Sequence, residues 1–148
     1  PSARNTLQLH VRSNAANPDP AALSQMLGAI ACLAPMVIWR HGAPPEHPVT
    51  KALLSSAFGQ QLRTLRVEVA ALAIPRVCCF PSLHTLRVYS SSFMQGDLSA
   101  EAEEELVAVC RAQPTLRCLG FEYTRHPSIA RNMAQRLATE GLSHVKVQ

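Results

Sequence analysis

Apolar residues, with Thr6 standing in once, recur along this chain in triplets spaced i, i+3 and i+5. Five copies are Thr6-Leu9-Val11, Leu33-Met36-Ile38, Leu62-Leu65-Val67, Leu83-Leu86-Val88 and Leu116-Leu119-Phe121, and a truncated sixth is Leu142-Val145-Val147. The last two members of each triplet lie two residues apart and so share one face of a short strand, while the first turns the chain into it. First members fall at positions 6, 33, 62, 83, 116 and 142, so successive units run 21 to 33 residues. That is room for a strand and a return segment, and no single unit of this size can bury its own apolar face. The pattern therefore predicts stacked units: a right-handed α/β solenoid, with a parallel sheet of five or six short strands on one side and about four helices on the other.

The returns between strands carry helix signals. Asp19 can cap a helix that has Pro20 at its first position, and Leu23, Met26, Leu27 and Ile30 follow the i, i+3, i+4, i+7 rule. A second helix is read over about 48–58 through Leu53, Leu54 and Phe58, with Gly59 as its stop. Ser99 opens another, with Glu101, Glu103 and Glu104 where the helix dipole favours negative charge and Leu106, Val109 and Cys110 on its buried side. The last begins at Pro127, repeats Ile129, Met133 and Leu137 at fourfold spacing, and stops at Gly141. Between residues 69 and 80 the unit is shortest and Pro75 interrupts it, so an extended or single-turn connection is expected there.

Composition narrows the class. The chain has 148 residues, 47% of them hydrophobic and 16% charged, which suits one folded domain and argues against disorder. Residues 21–39 carry no charge over a length close to that of a membrane span, but Ser24, Gln25 and Pro35 interrupt the run and the repeat register splits it into a helix and a strand; no membrane span is expected. Cys32, Cys78, Cys79, Cys110 and Cys118 are an odd set without a C-x-x-C pair, which points to a reducing, intracellular compartment and to thiols that are buried or incidental. Their spacing with His84 does not make a zinc site, so no metal or cofactor is expected.

The strings Gln61-Leu-Arg-Thr-Leu-Arg-Val, Pro81-Ser-Leu-His-Thr-Leu-Arg-Val and Pro114-Thr-Leu-Arg-Cys-Leu-Gly-Phe resemble leucine-rich repeats of the intracellular, helix-containing kind found in ribonuclease-inhibitor-like and F-box-associated proteins. The resemblance covers nearly the whole chain and implies an architecture more than a function. It implies a single repeat domain over 1–148, part of a larger protein or assembly, acting as a scaffold or adaptor. The family prefers Asn or Cys eight residues after the first Leu, where this chain has Asn14, His41, Ala70, Ser91 and Thr124. Asn14, Ser91 and Thr124 can satisfy backbone groups at the bend and Ala70 cannot. No F-box sequence is present.

With the triplets facing the core, the third, fifth and seventh positions of each unit face outward. These are Gln8-His10-Arg12, Pro35-Val37-Trp39, Thr64-Arg66-Glu68, Thr85-Arg87-Tyr89, Cys118-Gly120-Glu122 and His144-Lys146-Gln148. Trp39 and Tyr89 are residue types that anchor interfaces, and Arg66 and Arg87 offer forked donors on neighbouring strands, with Glu68 and Glu122 able to neutralise them. Trp39, Arg66, Arg87 and Tyr89, with Arg12 and Lys146 beside them, are the expected partner-binding group. Six strands about 4.8 Å apart, each contributing five residues of about 3.3 Å, give a face of roughly 400 Å², half of what a standard interface buries per partner. Rim loops at 40–42 and 89–94, or a larger assembly, must then supply the rest. Both ends lack a polar cap, so at least one terminal strand, over 7–11 or 145–147, is expected to be covered by another chain or by further residues.

Catalysis has no candidate: the sequence holds no G-x-S-x-G, H-E-x-x-H or Gly-rich phosphate loop. Glu101, Glu104 and Glu105 share a helix side but read as a solvated first turn, and His41, Glu46 and His47 read as a proline-rich surface loop. The expected function is non-catalytic protein recognition. The alternative is a peripheral subunit of a large ribonucleoprotein, because the net charge is +4 and Arg12, Arg66, Arg87 and Lys146 would share a face with two aromatic rings. Four cations are few beside the six to ten phosphates, roughly, that tight duplex binding engages.

Overall fold

Among the described residues six strands run parallel in chain order, β1 (Gln8–Val11), β2 (Met36–Trp39), β3 (Thr64–Glu68), β4 (Thr85–Tyr89), β5 (Cys118–Phe121) and β6 (Lys146–Val147). The computed structural model describes residues 8–11, 36–39, 60–90, 93, 96, 98–124 and 126–148, with side chains described from residue 60 onward. Three α-helices lie whole among them, α1 (Ala73–Val77), α2 (Ala100–Ala112) and α3 (Pro127–Thr139), and Gln60 and Gln61 are helical as well. The expected class, α/β with a parallel sheet, is what is found. The helices expected after Pro20 and over 48–58 lie outside the described residues, as do the 40–42 loop and His41, Glu46 and His47. Among the described residues no helix is long and apolar enough to cross a membrane.

In a parallel sheet, residues in register point to the same side. Leu65 pairs with Leu86 and Leu86 with Leu119, and the next inward row is Val67, Val88 and Phe121. Leu62, Leu83 and Leu116 are buried as well, so the triplet reading holds across β3 to β5. Phe121 is half-buried and meets the fully buried Phe93 edge-on, with ring centres 5.4 Å apart.

Two registers differ from the sequence reading. In β2, Val37 and Trp39 are in register with Leu65 and Val67, whereas Ile38 aligns with Arg66 and His10. Thus Trp39 occupies the register row of the core and not that of Arg66, one residue off the expected triplet Leu33-Met36-Ile38. The cause is local: Met36-Val37-Ile38-Trp39 is apolar throughout, so no alternation selects a face. In β6, Val147 pairs with Leu119, two residues away from the expected match, although Leu142 and Val145 are still buried. A two-residue shift preserves which face each residue takes.

The long returns form as their local signals require. Ser99 Oγ accepts the Ala102 N–H at 3.1 Å, capping α2. Leu106, Val107, Val109 and Cys110 turn inward, and burial pushes the Cys110 thiol up to about 12. Pro127 stands at the start of α3, whose buried side is Ile129, Met133 and Leu137. Gly141 ends it with φ of 76°, while the Leu142 N–H reaches the Leu137 carbonyl at 2.8 Å and the Gly141 N–H reaches Ala138 at 3.2 Å. This paired closure needs a left-handed residue, which glycine adopts at least cost. Across the two helices Arg136 of α3 pairs with Glu103 and Glu104 of α2 and with Glu140, and Arg111 of α2 also reaches Glu140. The hydrogen bond from Arg136, then that from Arg111, holds the Glu140 carboxyl below the usual glutamate range.

The shortest return is a 3₁₀ turn (Val69–Ala71) followed by the five-residue helix α1, more helix than the extended or single-turn connection expected there. Pro75 is tolerated because it sits in the first turn of α1, where an N–H has no intrahelical acceptor in any case. Leu72, Ile74 and Phe80 fill the space beneath. So tight a path buries backbone groups, and Gln113, itself fully buried, takes three of them. Its Oε1 accepts the Phe80 N–H at 3.0 Å, and its Nε2 donates to the carbonyls of Pro75 at 2.6 Å and Cys78 at 2.7 Å.

Leu86→Ala should cost about 2–5 kcal/mol in chemical denaturation, because the site lies between neighbouring strands and cannot collapse freely. A loss below about 0.5 kcal/mol would contradict the register above. Gln113→Leu keeps the volume but strands one donor and two acceptors, and should cost about 2–5 kcal/mol. Amide exchange at Phe80 should then speed up selectively; an unchanged Phe80 amide would show that the Gln113 side chain does not hold this return.

Candidate functional site

On the outward side of β3 and β4, Arg66 and Arg87 lie directly in register. Two neighbouring guanidinium groups repel unless an anion separates them, and Glu122, just past the end of β5, supplies it. Its Oε2 accepts from Arg66 Nε, and its Oε1 faces Arg87 Nε at 2.8 Å. The sequence reading set Glu68 and Glu122 together against the two arginines; here Glu122 bridges both, one negative charge between two positive ones. The three groups are unequally exposed: Arg66 and Glu122 show only 13% and 14% of their side chains to solvent, and Arg87 shows 47%.

Arg66 is the hub. Its Cζ lies 4.7 Å from the centre of the Tyr89 ring, a cation–π contact. Its Nη2 donates to the Tyr123 hydroxyl, and this contact at the rim of the ring sets the 5.3 Å between Cζ and the Tyr123 centre. The two tyrosine rings meet edge to face, 6.3 Å apart and 86° inclined. Burial works to lower the pKa of Arg66, but the hydrogen bond and charge of Glu122, aided by Tyr123, outweigh it and leave the pKa raised. Arg66 is thereby held as a cation inside an aromatic and carboxylate shell.

Tyr123 has φ of 59°, and it is the only non-glycine residue with positive φ among the described residues. A tyrosine in that region carries strain of about 1–3 kcal/mol, offset here by its contacts to Arg66 and Tyr89. The residue is 62% exposed. Just beyond, Thr124 Oγ1 accepts the His126 N–H at 3.1 Å, fixing the turn into α3 as expected of a polar residue at this position. Ala70, at the equivalent position, lies exposed in the 3₁₀ turn.

Beside the cluster the absence of a side chain at Gly120 opens a groove of about 400 Å³, floored by Thr64, Thr85, Cys118 and Gly120 and walled by Arg87 and Glu122. Lys146 stands exposed in register with Cys118 at the far edge. Of the expected contact group, then, Arg66, Arg87 and Tyr89 come together, and Lys146 shares their face at a distance. Arg12 lies outside the described residues, and Trp39 is in the core register. Phe93, from the loop expected to extend the rim, is buried.

Tyr123 and the groove at Gly120 escaped the sequence reading. Tyr123 follows the last strand position in the repeat, and only its place between Glu122 and Thr124 at the bend marks it. Three of the four glutamates of α2 are engaged elsewhere: Glu103 and Glu104 with Arg136, and Glu105 with Arg76 at 3.4 Å. Cys79, Cys110 and Cys118 are free thiols, and among the described residues no group of three or more His, Cys, Asp or Glu is placed to hold a metal ion. No protein-family model, curated protein or solved structure matches this chain.

Arg66→Met should cost about 1.5–3 kcal/mol, since it removes the inner partner of a largely covered carboxylate. Arg87→Met, at the exposed end, should cost less than about 1 kcal/mol. Denaturant melts of the two variants side by side test this division, and equal losses would contradict it.

Proposed function

We propose that this chain is a leucine-rich-repeat solenoid of the right-handed kind that works by binding another protein through the outward face of its sheet, without turnover. Strand order that follows chain order, in-register leucine rows and helical returns between β3 and β6 support the repeat reading. The observation that carries the recognition reading is the Arg66-Glu122-Arg87 cluster with Tyr89 and Tyr123 beside an open groove. Arginine and tyrosine are the side chains that concentrate binding energy, and here they are locked before a partner arrives, which lowers the entropy lost on binding. The contact group in this reading is Arg66, Arg87, Tyr89 and Lys146, extended by Tyr123. Free thiols, one of them deeply buried, favour an intracellular setting. The domain then serves as a scaffold or adaptor within a larger protein or assembly.

The ribonucleoprotein alternative draws on the same face but loses ground there, because Glu122 neutralises one of the two central arginines. Few phosphates could be engaged by what remains. The chain, immobilised and incubated with native extract, should retain a defined protein at moderate salt, and the double variant Arg87→Ala, Tyr123→Ala should lose it. Retention unchanged by the double substitution, or binding to nucleic acid that collapses as salt rises, would overturn the reading.

A further inference from the structure

The groove at Gly120 has a definite chemistry. Arg87 uses its Nε against Glu122 at 2.8 Å, and its two terminal nitrogens have no partner among the described residues. A guanidinium held along one edge and open along another is a forked donor fixed in direction, which suits a planar acceptor that can take both bonds. The lining includes the short side chains of Thr64, Thr85 and Cys118 beside Phe121 and Gln148, with Thr85 Oγ1 also 3.0 Å from His84 Nδ1. Hydroxyls of this kind can donate to or accept from a peptide backbone. The volume, about 400 Å³, lies within the range of sites that enclose a side chain or small ligand.

We infer that this groove takes the carboxylate of an aspartate or glutamate on an extended segment of the partner protein, gripped by the two terminal nitrogens of Arg87. The inference rests on the recognition reading above and names its chemistry. Charge selects the occupant. One fork with one free edge matches one monoanion, whereas a doubly charged phosphate would face the Glu122 carboxylate through the same guanidinium. Arg66 cannot add its charge freely, because Nε and Nη2 are engaged by Glu122 and Tyr123. Gly120 keeps the approach open: a Cβ there would sit 4.0 Å from Arg87 Cγ, an ordinary contact, so bulk at this position would occupy the groove without displacing the arginine.

The test is NMR titration of the full chain with end-capped extended peptides that carry a central glutamate, the matched glutamine, or phosphoserine. The glutamate peptide should shift the Arg87 side-chain and Thr85 signals, and the glutamine peptide should bind at least about tenfold more weakly, as expected for a charge-assisted hydrogen-bond pair. Arg87→Gln should abolish the shifts, Arg87→Lys should retain a weakened response, and Gly120→Val should block binding with the charge intact. Thermal melting checks that each variant folds, and Glu122 keeps Arg66 as its partner in the Arg87 variants. Equal binding of glutamate and glutamine peptides, preference for phosphoserine, or glutamate binding that survives both Arg87→Gln and Gly120→Val would overturn the inference. A native protein partner that binds Arg87→Gln as well as wild type overturns this inference alone; recognition through Tyr89 and Tyr123 would still stand.

Discussion

A parallel strand whose one face is apolar cannot exist by itself, and the row formed by Leu65, Leu86 and Leu119 is where this chain meets that constraint. Each leucine is covered by its neighbours in the row and by the return that follows its strand, so removing any one cover exposes two. The units can differ in length because the strand positions are fixed by this row, while the returns are free to vary as long as they fill the space behind it. Thirteen-residue helices do so after β4 and β5, and a 3₁₀ turn with a five-residue helix does so after β3. The shorter path has a consequence for polar groups. It turns the Pro75 and Cys78 carbonyls and the Phe80 N–H away from water, and the residue that meets them, Gln113, belongs to the following return. The compact unit is thereby completed by its neighbour, a coupling stronger than apolar contact alone, since buried donors and acceptors tolerate no vacancy.

Local signals in the sequence were read correctly where a single residue decides the backbone. Ser99 must accept an N–H, Pro127 must start a helix, and Gly141 must take the left-handed turn, whatever surrounds them. Register is a different kind of property. It was legible in Thr64-Leu-Arg-Val-Glu, where apolar and polar residues alternate, and illegible in Met36-Val-Ile-Trp, where every residue would be content inside. At β6 both Leu142 and Val145 bury while closing α3, so burial alone could not say which residue stands opposite Leu119. Arg66 and Arg87 were legible as neighbours because they share a repeat position. Gln113 was not, because its partners lie 33 to 38 residues away and no spacing rule joins a glutamine to three backbone groups.

The outward cluster follows from the same stacking. Placing equivalent positions side by side brings Arg66 against Arg87, a like-charge contact that a sheet does not tolerate unscreened. Gly120 at the next equivalent position removes the side chain that would otherwise screen it, and so Glu122, two residues on, reaches back to both arginines. That reach is what leaves the groove empty. Had the anion stood at position 120 itself, the pair would have been met in register and the face would be flat. The concavity and the open edge of Arg87 are thus two results of one displacement of charge along β5. Tyr123 is bound up in it as well, since a carboxylate at 122 aimed inward puts the next side chain on Arg66, at the cost of a left-handed backbone. The strained tyrosine, the shared carboxylate and the groove stand or fall together, which makes the face around Arg87 a built feature of the sheet and not a chance arrangement of surface side chains.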